Sequence, residues 1–132
     1  MTHRFKRDTE GGAILVTVEL DGMHTFKMVL DTGASRTTFD TTALLMAGSD
    51  VRNRVSETGT IETANGIVKV GIFETNSLTA FGRTLCRMPV QVYDFLAHGI
   101  LSDYDGLLGL DFFENTLFCI DMKNHTIEIK SE

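Results

Sequence analysis

The chain has 132 residues, 42% of them hydrophobic and 23% charged, with 12 basic and 18 acidic side chains and a formal net charge of -6. That length and composition suit one globular domain with a real core and exclude an intrinsically disordered chain. The acidic balance argues against a nucleic-acid partner, because a general phosphate binder carries the opposite sign.

In chain order, the first twelve residues carry a small basic group, Arg4, Lys6 and Arg7, and read as a solvated tail over residues 1–12. They contain no apolar leader, and no run approaches membrane-spanning length. This chain is therefore expected to have no membrane segment. The expected location is the cytoplasm, or else the chain is the soluble part of a membrane-tethered or periplasmic protein. From Ala13 the sequence AILVTVEL is rich in β-branched residues. The turn dipeptide Asp21-Gly22 follows, and HTFKMVL resumes the extended pattern, which predicts a hairpin. Thr37 to Phe39 reads as a short strand. Asp40, Thr41 and Thr42 can cap a short helix, ALLMA, that stops at Gly48. Ser49 to Glu57 is polar and reads as loop.

Thr58 to Ala64 and Ile67 to Phe73 flank Asn65-Gly66, a second hairpin. Thr75 to Thr79 and Thr84 to Val92 extend the sheet around Phe81-Gly82, with Pro89 marking an edge or a strand start. A loop from Asp94 to Tyr104 precedes DGLLGLDFF, and LFCIDMKNHTIEI alternates around Lys123-Asn124-His125 as a third hairpin. Many short strands with one or two short helices predict an all-β barrel or sandwich, a single domain over 13–132.

Cys86 and Cys119 are far apart and form no C-x-x-C pair. The histidines His3, His24, His98 and His125 are scattered without ligand spacing. No metal and no cofactor are expected. One acid is out of place: the apolar run Met28-Val29-Leu30 ends on Asp31, followed by Thr32, Gly33 and Ala34. A carboxylate is costly against a core unless it is paired, so Asp31 is a candidate general base or acid. Gly33 would let the backbone turn, and the Thr32 hydroxyl would hold the loop. A plain Asp-Thr-Gly turn is the bland alternative. In DGLLGLDFF, Gly109 permits close backbone approach to the loop holding Asp31, while Leu107, Leu108 and Leu110 read as core. The second hairpin, with Ala64, Asn65 and Gly66 at its tip, sits in sequence where a covering flap is needed. An isolated Asn-Gly hairpin is otherwise structural.

This order of motifs resembles the retropepsin-like aspartic proteases. It runs from an apolar strand into D-T-G-A, through a short strand, a helix and a T-A-N-G hairpin, to L-L-G before a short helix and a final hairpin. It is most similar to the bacterial single-domain forms, and more loosely to the protease domain of ubiquitin shuttle proteins. The resemblance spans residues 13 to 130, nearly the whole chain. It implies a closed β-barrel with one lobe per chain and an active site at a homodimer interface. It also implies hydrolysis of peptide bonds in a peptide or protein substrate. Viral members carry acids just after D-T-G-A and an arginine just after the supporting glycine. This chain has Ser35 and Arg36, and then Leu110, which implies loss of an ion pair.

There is one D-T-G in the chain, whereas the chemistry needs two carboxylates. A symmetric dimer supplies the same acid twice. The two Asp31 carboxylates would share one proton, activate a water and polarise the scissile carbonyl. By the same resemblance Thr32 would lock the two loops together across the interface. Val29, Ile67, Val68 and Leu107 are candidate walls of the substrate pocket. Two other readings stay open: a dimeric peptide-binding module without turnover, and a monomeric small-ligand barrel.

Overall fold

A computed structural model describes residues 2–50, 55–63, 66–95 and 103–131. The strands are β1 (Thr2–Arg4), β2 (Lys6–Arg7), β3 (Ile14–Leu20), β4 (His24–Leu30) and β5 (Thr38–Asp40). After helix α1 (Thr41–Met46) come β6 (Val55–Thr63), β7 (Gly66–Glu74), β8 (Ser77–Ala80), β9 (Arg83–Cys86), β10 (Pro89–Tyr93) and β11 (Gly106–Leu108). A 3-10 turn (Leu110–Phe113) precedes β12 (Thr116–Asp121) and β13 (Thr126–Ser131). The chain is thus mostly β with one short α-helix.

Period-two patterning sets the first hairpin. Along β3, Val16, Val18 and Leu20 face inward while Thr17 and Glu19 face out, and Phe26, Met28 and Leu30 do the same along β4. Asp21 and Gly22 both take positive φ, 57° and 67°, and the Met23 N–H donates to the Leu20 carbonyl at 3.1 Å. This is the mirror-image turn that matches strand twist. Phe81 and Gly82 repeat it between β8 and β9, at φ 53° and 71°. Helix α1 closes as the sequence indicates. Gly48 at φ 74° donates to the Leu45 carbonyl, and Ser49 donates to that of Leu44, so both orphan carbonyls are satisfied. Its start differs from expectation. Asp40 gives no side-chain cap; its Oδ1 instead accepts the Phe95 N–H at 3.1 Å.

The main sheet runs β6-β7-β10-β5-β11-β4-β3-β8-β9, with β2 paired to β3. Its two ends, β6 and β9, do not pair with each other among the described residues, so the expected closed barrel is not found. The sheet buries a core of Val18, Leu20, Met28, Phe39, Phe73 and Leu108, with Phe26 edge-on to Phe39 at 5.3 Å. Three other expectations are refined. Part of the segment read as a Ser49–Glu57 loop belongs to β6, whereas 51–54 lie outside the described residues. The Thr84–Val92 run is two strands, β9 and β10. Pro89 starts β10, which pairs with both β7 and β5 and so is not an edge.

The largest departure is at the N-terminus. Residues read as a tail form β1, paired antiparallel to β13, and β2, paired to β3. Between them Phe5 is 7% exposed, stacked on His125 at 5.6 Å. A lone buried aromatic between basic residues carries no periodic signal, which is why the sequence hides it. A second sheet, β1-β13-β12, results. No described helix is long and apolar enough to cross a membrane. Phe5→Ala should lower unfolding stability by about 3 kcal/mol in urea denaturation. An unchanged midpoint would mean that the N-terminal strands do not anchor the fold.

Candidate active site

Asp31 is placed by strand order. β11 inserts between β4 and β5, parallel to β4 and antiparallel to β5, with Leu107 opposite Val29 and Leu108 opposite Leu30. The residue after β4 is Asp31 and the residue after β11 is Gly109, so the two loops leave the sheet side by side. The Asp31 N–H donates to the Leu108 carbonyl at 3.0 Å, and the Leu110 N–H donates to the Ala34 carbonyl at 2.8 Å. Within the loop the Ala34 N–H donates to the Asp31 carbonyl at 3.1 Å.

The glycines have different reasons. Gly33 is not among the residues with positive φ, so turn strain is not what it relieves. Its N–H donates to Asp31 Oδ1 at 2.9 Å, and a Cβ there would stand 3.2 Å from that oxygen. Glycine lets the amide reach the carboxylate and aim it. Gly109 is buried, and a Cβ would sit 2.7 Å from the Arg36 carbonyl carbon and 2.9 Å from the Ala34 oxygen. Only a bare backbone fits between them. Gly106, which sequence reasoning passed over, is under the same constraint: a Cβ would overlap the Thr38 carbonyl oxygen.

Two residues missed in the sequence hold this junction. Thr37 is fully buried, and its N–H donates to Asp111 Oδ2 at 2.8 Å while its hydroxyl donates to Asp111 Oδ1 at 2.8 Å. The same hydroxyl accepts the Gly109 N–H at 3.1 Å. Burial pushes the Asp111 carboxyl above its ordinary value. The Thr37 hydrogen bonds, the Phe112 N–H and the positive charge of Arg36 oppose that shift. Asp111 had a visible signal, an acid ahead of two phenylalanines in an apolar run. Thr37 had none.

Arg36 lies on the Asp31 loop, and Asp111 lies two residues after Gly109. Their attraction is felt at Asp111. Leu110, where the viral arginine would stand, is 41% exposed.

Asp31, half-buried, opens onto a cleft of about 720 Å³. Its walls include Arg36 and Ser35 from the acid loop, Thr60 and Glu62 from β6, and Tyr93, Phe95, Tyr104 and Leu107. Phe95 and Tyr93 form a small satellite core with Val70, against which Val68, Tyr104 and Leu107 pack. That cluster ties the β6–β7 hairpin to the strand beside Asp31.

Of the four wall candidates, Leu107 lines the cleft. Val29 lies next to it across the β4–β11 pairing, Val68 packs behind it, and Ile67 is 75% exposed on the hairpin. Ala64 and Asn65 lie outside the described residues. Gly66 opens β7 at φ 116°, opposite Thr63. Thr32 is exposed, and among the described residues its hydroxyl bonds to no group of its own chain. No group of three or more His, Cys, Asp or Glu among the described residues is placed to hold a metal. Both cysteines are exposed and free.

A family model described as aspartyl protease matches residues 16–112. The crystal structure of a retropepsin-like aspartic protease from Rickettsia conorii superimposes with a TM-score of 0.70 at 24% sequence identity. The match covers 98% of this chain and 91% of that one. At that identity the likeness speaks for the fold. No curated protein sequence matches.

Asp111→Ala strips two donors of buried Thr37 and should cost about 1–3 kcal/mol. Asp111→Asn should restore most of it, because an amide can accept the Thr37 N–H and donate to its hydroxyl. The raised carboxyl sets the sign of the pH dependence. The folded state holds the proton more tightly than the unfolded chain, so this contribution to stability is present below the ordinary value of 3.8 and lost as pH rises through the folded value. Denaturation of wild type and Asp111→Asn across acidic pH should show the loss only in wild type. A parallel pH dependence in both would remove Asp111 as its source.

Proposed function

Because the chain belongs to the aspartyl protease family, its matched segment covering residues 16–112, we propose that it is an aspartic endopeptidase whose catalytic site is completed by a second copy of itself. The observation that carries this reading is the single aimed carboxylate. Asp31 is fixed by backbone on both sides, oriented by the Gly33 N–H, and open to a cleft of about 720 Å³. Asp111, the acid at the junction, is engaged there, both its oxygens accepting hydrogen bonds from Thr37, and it does not line the Asp31 cleft. With one D-T-G per chain, a two-fold axis beside Asp31 supplies the missing group.

Two such carboxylates would hold one proton between them. The ionised one takes a proton from a bound water as the water oxygen attacks the scissile carbonyl carbon. The protonated one donates a hydrogen bond to the carbonyl oxygen and stabilises the tetrahedral intermediate. Collapse of that intermediate breaks the C–N bond as a proton passes to the leaving nitrogen. No covalent enzyme intermediate forms. Thr32, which is exposed, would donate its hydroxyl across that axis to the partner loop. The β6–β7 hairpin, bearing Thr60 and Glu62 over the cleft, serves as the flap that excludes water. The tip residues Ala64, Asn65 and Gly66 complete it.

Denatured casein incubated over a range of pH should be cleaved by wild type, with activity rising and falling with pH as the pair gains and loses its one proton. Asp31→Asn should lose at least about 10³-fold in rate while its sedimentation mass remains that of wild type. Cleavage that survives in Asp31→Asn would rule out this acid as the catalytic one. Peptide binding without turnover by wild type at every pH would instead favour a binding module on the same fold. Activity per mole of enzyme should fall on dilution below the dimer dissociation constant.

A further inference from the structure

A second depression lies away from Asp31, with a volume of about 730 Å³, between the N-terminal strands, the β3–β4 hairpin and the Phe81-Gly82 turn. Its rim carries Arg4, Lys6 and Lys27, all exposed, together with His3. Among the described residues none of these three cations is in an ion pair. The carboxylate nearby, Asp105, accepts the backbone N–H of Lys27 at 2.8 Å. Three cations and one carboxylate thus line one groove, a local excess of positive charge on a chain whose net charge is -6. Two of them, Arg4 and Lys6, belong to the basic group that the proposed chemistry leaves without a task.

One line of paired residues runs from the cleft to the groove. Leu107 lies opposite Val29, Val29 opposite Leu15, and Leu15 opposite Lys6, so the four side chains cross β11, β4, β3 and β2 on one face of the sheet. Leu107, Val29 and Leu15 are half-buried on this outer face, while their neighbours Leu108, Leu30, Met28 and Val16 fill the core. Leu107 lines the Asp31 cleft and Leu15 lines the basic groove. An apolar strip therefore bridges the two, with lysine at its far end.

We propose that this groove is a second binding site that takes an acidic stretch of polypeptide, continuing the path of a chain held at Asp31. The proposal rests on the peptidase reading only for the identity of that polypeptide as substrate. A long polyanion such as nucleic acid would meet the acidic remainder of the surface. A few carboxylates on a polypeptide meet only the local cations.

The full chain carrying Asp31→Asn separates the two questions, because binding then needs no cleavage. Its fluorescence anisotropy would be read with a labelled Glu-Ser repeat peptide and its Gln-Ser counterpart. The Glu peptide should bind more tightly, and its affinity should fall with added salt. Lys6→Glu with Lys27→Glu should weaken it roughly five- to tenfold, the size expected when two exposed pairs become repulsions. Lys6→Gln with Lys27→Gln should give a smaller loss. Equal affinity for the two peptides, or no loss in the charge-reversed protein, would overturn the proposal. Tighter binding of an oligothymidylate of equal charge would also overturn it and assign the groove to nucleic acid. Failure of the peptidase reading would appear in casein cleavage and leave this measurement readable.

Discussion

The constraint on which this molecule depends is the fastening of the loop after β4 to the chain leaving β11. Each segment leaves backbone groups outside the sheet that must be satisfied where they are buried. They satisfy one another: Asp31 with Leu108, Leu110 with Ala34, and Gly109 through the Thr37 hydroxyl to Asp111. Contact this close is possible only because Gly109 has no side chain to interpose. The acid at the end of β4 is therefore held twice, by the neighbouring Gly33 and Ala34 amides of its own loop and by the distant Leu108 carbonyl. A catalytic group needs that rigidity, since small displacements of a reacting atom are costly.

The rest of the architecture supports this junction. Parallel pairing of β11 with β4 brings the two loops out together, and antiparallel pairing with β5 returns the chain beneath them at Thr37 and Thr38. Phe39 then anchors β5 in the core between Phe26 and Phe73. The satellite cluster of Val70, Tyr93 and Phe95 reaches Leu107 from the other side. It couples the β6–β7 hairpin to β11, the strand beside the acid's own, so the cleft has one wall in the sheet and one wall on an extended hairpin.

Much of this was legible in the sequence. The mirror-image turns at Asp21-Gly22 and Phe81-Gly82, the stop at Gly48 and the hairpin around Gly66 are local features, and local chemistry writes them into adjacent residues. Asp31 was legible because an acid at the end of an apolar strand contradicts its surroundings. What stayed hidden depends on distant pairing. Thr37 is an ordinary threonine until Asp111, 74 positions away, faces it. Asp40 looked like a helix cap, but the Phe95 amide claimed its side chain instead. The N-terminal strands carry too few residues for a periodic pattern, and they exist because β13 and β3 offer edges to them. Whether a sheet closes into a barrel is likewise set by its last pairing, which no single strand encodes.

Subunit mixing tests most directly whether one pinned carboxylate is half of a catalytic site. Wild-type and Asp31→Asn chains, unfolded together and refolded at fixed total concentration, would pair at random. If each site needs Asp31 from both copies, an equal mixture should retain about one quarter of the wild-type activity, and activity should follow the square of the wild-type fraction. Activity that instead falls in direct proportion to the wild-type fraction, to about half in the equal mixture, would mean that each chain works alone.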